Sequence, residues 1–184
     1  MIQSERYDGF AIILHWATAI LVITLFGIAQ AWGFLPRHGD ARPLLQSLHV
    51  SLGITLAAVL FVRLAWRIGF GHQPASDQAG LVERVAKAMH YVLYGLLLVM
   101  VASGFGKIWS HDHAAGFFGL VSIPAPLAVS RAWHPLVSTV HQWCAWTIII
   151  LAGLHALAAL LHHYVLRDDI LRRMLPSRRQ SRAY

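Results

Sequence analysis

Four apolar runs divide this chain, and each is long enough to cross a membrane. They cover roughly residues 10–32, 44–66, 86–109 and 133–164. A crossing of about 30 Å of hydrocarbon needs about 20 apolar residues at about 1.5 Å per residue. Every run meets that length, and the runs end in Trp or Tyr, the rings that settle at headgroup depth. The first run exceeds the apolar core of a secretory leader and has no small-residue cleavage pattern, so it reads as a span. The expected fold is therefore all-α, an integral membrane bundle of four helices in one domain over 1–184.

Composition agrees. Of 184 residues, 57% are hydrophobic and 12% charged, about half the charge of a soluble domain. The single cysteine, Cys144, excludes an internal disulfide framework and a CxxC metal site. No 20–50-residue repeat is present. No basic stripe interleaved with aromatics points to nucleic acid. The linkers carry Pro36, Gly39 and Pro43, then Pro74, then Pro124 and Pro126, which do not continue a helix easily. Residues 77–87 read as a short amphipathic lead-in to the third span.

Basic residues fall unequally about these spans. Eleven of the fifteen Lys and Arg lie in the N-terminus, the second linker, the flanking helix ends or the C-terminal segment; Arg37, Arg42, Lys107 and Arg131 lie on the other side. The positive-inside rule then places both termini in the cytoplasm. Most of the net charge of +7 is an orientation signal, with 165–184 a basic cytoplasmic tail facing anionic lipid.

Twelve histidines sit oddly in so apolar a chain. Ionisable groups inside spans are costly and mark function. His141 and His155, fourteen residues apart on the fourth span, share a face at about 100° per residue and stand about 21 Å apart along the axis. His15 is early in the first span and His49 early in the second, which runs the other way. Depth pairs His15 with His155 and His49 with His141. Two bis-histidine sites stacked in a four-helix bundle suit two b-type haems, whose iron takes one axial ligand on each face. The plain alternative for a single such histidine is an interhelical hydrogen bond, but two depth-matched pairs in register argue against it. Zinc wants about four ligands close together, and these sites offer two each. Gly53 and Gly153, beside His49 and His155, serve either a porphyrin edge or close helix packing.

The chain resembles the bacterial di-haem cytochrome b561 family, in its superoxide oxidase branch. The residues that carry the resemblance are His15-Trp16, Leu48-His49-Val50-Ser51-Leu52-Gly53, Arg63 and Arg67, His90, Leu93-Tyr94, Gly153-Leu154-His155-Ala156, His162-His163-Tyr164, Asp169 and Leu171-Arg172-Arg173-Met174-Leu175-Pro176. Phe34-Leu35-Pro36-Arg37 also fits, and the resemblance covers nearly the whole chain. It implies that superoxide is oxidised to dioxygen on the periplasmic side of the inner membrane and that electrons cross two haems to ubiquinone on the cytoplasmic side. It implies the same haem pairing as depth does, His49/His141 outer and His15/His155 inner.

Superoxide is a small anion, so its site should be positive and near the outer haem. Lys107 and Arg37 are the chosen candidates, with Arg42, Arg131 and His134 also on that side. Lys107 alternatively snorkels at its helix end, and Arg37 alternatively pairs with a haem propionate. His134 reads as a cap or a group behind the ligands, and His111 and His113 as solvated loop. His162, seven residues beyond His155 on the same face, is placed to donate to a quinone carbonyl and pass a proton. His90 is a second quinone candidate or a propionate partner; His163 points about 100° away from His162. Lys87 and Arg167 read as propionate partners or interfacial anchors, and Trp143 and Trp146 as core or lipid-facing.

The competing function is a di-haem electron-transfer subunit linking a dehydrogenase or hydrogenase to quinone. Short loops and the lack of a soluble extension argue for the enzyme with no obligatory protein partner. A third class, a channel or carrier without haem, predicts a colourless protein.

Overall fold

A computed structural model describes residues 7–36, 38–70, 80–111, 113–126 and 129–175. Four long helices make the body: α1 (Gly9–Ala31), α2 (Ala41–Gly69), α3 (Leu81–Trp109) and α4 (His134–Leu161). All four are long and apolar enough to cross a membrane. The α2 helix starts ahead of the apolar run and ends beyond it, so Arg63 and Arg67 lie within the helix. The chain is an integral membrane four-helix bundle.

Local chemistry sets the helix ends. Asp8 caps α1 by accepting from the Ala11 N–H at 2.8 Å. The same carboxylate oxygen accepts from Trp66 Nε1 at 3.1 Å, tying the start of α1 to the end of α2. Pro135 stands in the first turn of α4, where its missing N–H costs nothing. Past α4, residues His162–Leu166 form one turn of π-helix, and Arg167 closes it in the left-handed region at φ 55°. A short α5 (Ile170–Arg173) follows and folds back onto α1, where Trp16 Nε1 donates to the Met174 carbonyl at 2.8 Å. The start of α1, the end of α2 and α5 thus share one end of the bundle, the termini end.

The opposite, far end carries a two-stranded antiparallel hairpin that the helical pattern does not announce: β1 (Ala115–Phe117) and β2 (Val121–Ile123), with Ala115 opposite Ile123 and Phe117 opposite Val121. Phe118 and Gly119 turn it with φ of 49° and 72°. The Phe118 conformation is unfavourable for a bulky residue. It is held by Ser51 on α2, whose buried hydroxyl accepts from the Phe118 N–H at 2.9 Å.

The helices pack as two pairs. α1 lies along α2 and α3 along α4, while contact between the pairs is sparse. Gly104 and Gly106 let α3 approach α4; a Cβ on Gly106 would stand 3.3 Å from Val137 Cγ1. Leu25, Leu56, Leu60, Leu97 and Ile148, from all four helices, form the central core. Ile148 is seven residues from both His141 and His155, so the core lies between them on their shared face. Outward faces are apolar and exposed, as at Ile13, Ile23, Phe61, Trp143 and Leu157, which suits contact with lipid.

Candidate functional site

The slot between the helix pairs holds two facing histidine pairs. The His49 and His141 rings are 6.3 Å apart between centroids, and the His15 and His155 rings are 6.5 Å apart. An imidazole nitrogen binds a first-row metal at about 2.0–2.1 Å, and with the ring centre roughly 1.1 Å behind it, two rings in trans on one metal stand about 6.3 Å apart. Both spacings fit. His90 lies 5.2 Å from His155, too close for a metal between them, so it is a lateral neighbour rather than an opposing one.

The far-end pair is oriented for ligation. His49 Nδ1 is 3.1 Å from the Leu25 carbonyl, which only accepts, so the ring proton is on Nδ1 and Nε2 is left for a metal. His141 Nδ1 is 3.1 Å from Ser103 Oγ, and Ser103 donates its own proton to the Met100 carbonyl at 3.0 Å. The hydroxyl therefore accepts from His141, and Nε2 is again left for a metal. Such partners behind a ligating histidine fix its tautomer and angle.

The termini-end pair is built differently. Arg63 Nη2 is 2.9 Å from His15 Nδ1, and a guanidinium only donates, so here Nδ1 accepts. Metal binding at Nε2 requires the ring proton to move to Nδ1 and Arg63 to turn to another acceptor. The guanidinium also lies over the Tyr94 ring at 5.1 Å, with Arg67 at 5.7 Å from the same ring.

Space beside the pairs is open. A Cβ built on Gly53 or on Gly153 meets no atom within 4 Å, so these glycines do not serve close helix packing. Among the described residues no group of three or more His, Cys, Asp or Glu could hold a metal ion. The described residues thus offer two facing imidazole nitrogens at each depth, which suits a metal whose other ligands would come from a macrocycle.

Lys107, in the last turn of α3, is half-buried, and its charge acts on both His49 and His141. No carboxylate pairs with it among the described residues. Arg37 lies outside the described residues. His134 opens α4, and both of its nitrogens are taken: Nδ1 donates to Ser110 Oγ at 3.1 Å and Nε2 accepts from Ser138 Oγ at 3.2 Å. Its ring also meets His111 at 3.9 Å. At the termini end, His162 Nδ1 meets Asp168 Oδ2 at 2.5 Å. His163, Tyr164, Arg167, Asp168 and Arg172 line an open pocket of about 390 Å³.

Ser103, Gly104 and Asp168 escape the reading of motifs because only the fold brings them to the histidines. Arg63 does carry a signal, being an arginine inside a span, but it reads equally well as orientation charge.

A membrane-spanning four-helix bundle with paired imidazoles facing across its axis has the form of a b-type cytochrome. The profile of prokaryotic cytochrome b561 matches residues 6–177, and the chain belongs to that family, whose members are membrane proteins that bind b-type haem. The chain is 31% identical over 172 residues to Cytochrome b561 homolog 2 of Escherichia coli (strain K12), covering 93% of this chain and 92% of that protein. It is 29% identical over 182 residues to Probable superoxide oxidase CybB of Yersinia pestis, covering 95% and 98%. Cytochrome b562 of Cereibacter sphaeroides is 29% identical over 187 residues, covering 97% and 100%.

Proposed function

We propose that this protein is a superoxide:ubiquinone oxidoreductase of the bacterial inner membrane. It would hold two haem b groups, one between His49 and His141 on the periplasmic side and one between His15 and His155 on the cytoplasmic side. The observation that carries the reading is the separation of the facing rings in the two histidine pairs, 6.3 and 6.5 Å, with His141 and His155 both on α4. The Yersinia relative's name supports the superoxide assignment. Both termini and the tail from residue 165 face the cytoplasm, following the distribution of basic residues.

Haem iron between two imidazoles supplies one-electron transfer between its ferric and ferrous forms. The protein's own groups do the rest. Leu25 and Ser103 hold the outer imidazoles in the ligating tautomer. Lys107, and Arg37 on the same side, draw the superoxide anion toward the outer pair, where a half-buried cation acts with little screening. At the inner pair, a propionate is the acceptor that would turn Arg63 away from His15. Gly53 and Gly153 leave room at the macrocycle edge. His162 and His90 lie at the termini end, where the quinone carbonyls need donors. The overall reaction balances as two superoxide ions, one ubiquinone and two protons giving two dioxygen and one ubiquinol.

The test is direct. The purified protein should show a b-type α-band in a reduced-minus-oxidised spectrum and two haems per chain. Superoxide generated in situ should reduce that haem, and superoxide dismutase should abolish the reduction. A colourless protein would defeat every haem reading. A coloured one indifferent to superoxide would leave the second reading, a di-haem subunit passing electrons from a dehydrogenase or hydrogenase to quinone. One observation favours that alternative: Phe118, Leu120 and Val121 expose an apolar hairpin tip at the far end, a surface on which a protein donor would dock.

A further inference from the structure

Reducing a quinone takes two protons as well as two electrons, and the termini end contains a built pair for moving protons. We propose that Asp168 and His162 form a proton relay from the aqueous pocket to the quinone oxygen. This rests on the quinone reading above.

Three observations place the relay. The chain leaves α-helical register at His162 and makes a π-turn over His162–Leu166, a form that occurs often at functional sites. The left-handed Arg167 then turns the backbone, and the Asp168 N–H donates to the His162 carbonyl at 3.1 Å. That loop brings the Asp168 carboxylate back onto the ring six residues earlier, with Oδ2 2.5 Å from Nδ1. The two side chains differ in access. The His162 side chain is 17% exposed, while Asp168 is 26% exposed and forms part of the pocket wall with His163, Tyr164, Arg167 and Arg172. Asp168 lines the pocket, and His162 behind it is the less exposed of the two.

The chemistry follows from the contact. With Nδ1 committed to the carboxylate, Nε2 is the nitrogen left for substrate. In the charged pair, His162 carries protons on both nitrogens and Asp168 is a carboxylate. When the quinone is reduced, the Nε2–H bond breaks and an O–H bond forms on the quinone oxygen. The ring is left neutral, with its Nδ1–H still donating to the Asp168 carboxylate. Asp168 then takes a proton from pocket water, the imidazole turns so that its bare Nε2 meets that acid and is reprotonated, and two such cycles complete one quinol. Arg167 and Arg172 line the pocket with Asp168, and Arg172 pairs with the neighbouring Asp169 at 3.3 Å. Asp168 acts through His162 and is a positioning and relay residue, while His162 is the group that touches substrate.

Asp168 has a second job, since Oδ1 accepts from the Ile170 N–H at 3.2 Å and so shapes the start of α5. Asp168→Asn keeps an acceptor for Ile170 and removes the carboxylate's charge and its ability to carry a proton for His162. The experiment uses full-length protein with both haems chemically reduced, mixed rapidly with a short-chain ubiquinone or with ferricyanide, an oxidant that takes no proton. Wild type should be reoxidised by both. Asp168→Asn should slow reoxidation by quinone tenfold or more, leave ferricyanide unchanged, and recover in part with Asp168→Glu or with added formate as a mobile acid. Equal quinone rates in Asp168→Asn and wild type would overturn the relay, as would equal slowing with both oxidants. Failure of quinone to reoxidise wild type would instead remove the quinone reading on which the relay rests.

Discussion

Gly104 faces His141 so closely that a Cβ at the glycine would stand 3.3 Å from Cε1 of the ring and 3.7 Å from Nδ1. Few real Cβ contacts are so tight, so an alanine there must push the imidazole by a few tenths of an ångström. Ser103, the residue before it, holds the same ring by a hydrogen bond. The ring is therefore positioned by two adjacent residues of α3 as well as by its own helix. Gly104→Ala should lower occupancy of the far-end haem without affecting the other, through overpacking worth about 1–3 kcal/mol. Gly53→Ala is the informative companion, since its Cβ meets nothing within 4 Å. Helix propensity alone makes it stabilising by about 1 kcal/mol. A loss of haem on that substitution would mean that the open space is where the macrocycle edge lies. Haem per chain, measured on purified variants, reads both.

Replacing His141 with Ala should remove one haem and leave the other partly bound; His155→Ala should do the reverse. The two variants should differ in which α-band component and which midpoint potential survives. Retention of two haems in either variant would refute the pairing.

Much of this arrangement is legible before folding. The lengths of the apolar runs specify four crossings, and the fourteen-residue step from His141 to His155 specifies two depths on one face. The hairpin is not legible, because its turn needs positive φ at Phe118, a residue that does not advertise it, and depends on a serine 67 positions earlier. His162 is legible as a candidate, but its setting is not. The α-helical period expected through Tyr164 breaks at the π-turn, and that break is what delivers Asp168 to the ring. The tautomers of His49 and His141 rest on a carbonyl and a hydroxyl supplied by other helices, and no spacing within one segment contains that information.

Arg63 stands beside His15 with its charge inside a span. Removing that charge should favour ferric iron at the termini-end site. Arg63→Gln should lower the midpoint of that haem by about 60 mV, equivalent to a tenfold change for one electron, while Arg63→Lys should preserve most of it. Spectroelectrochemical titration of both haems checks this, and the far-end haem serves as the internal control.

Lys107→Glu should slow superoxide-driven haem reduction by on the order of tenfold, because electrostatic steering acts chiefly on encounter. The dependence of that rate on ionic strength should flatten or reverse, since the attraction that salt screens has gone. A lysine that merely snorkels would leave the salt dependence intact. Stopped-flow rates at several salt concentrations distinguish the two.

The pairing of α1 with α2 and of α3 with α4 bears on biogenesis. Each half is a self-contained helical hairpin that a translocon can release into lipid on its own. Their meeting surface is the central leucine core, Ser51 beneath the strand turn, and a slot lined by imidazoles. Chain continuity between Phe70 and Gly80 should then be dispensable. Two separately encoded fragments, coexpressed, should reassemble into coloured protein in an amount set by haem supply, and starving the cells of haem should leave the halves apart.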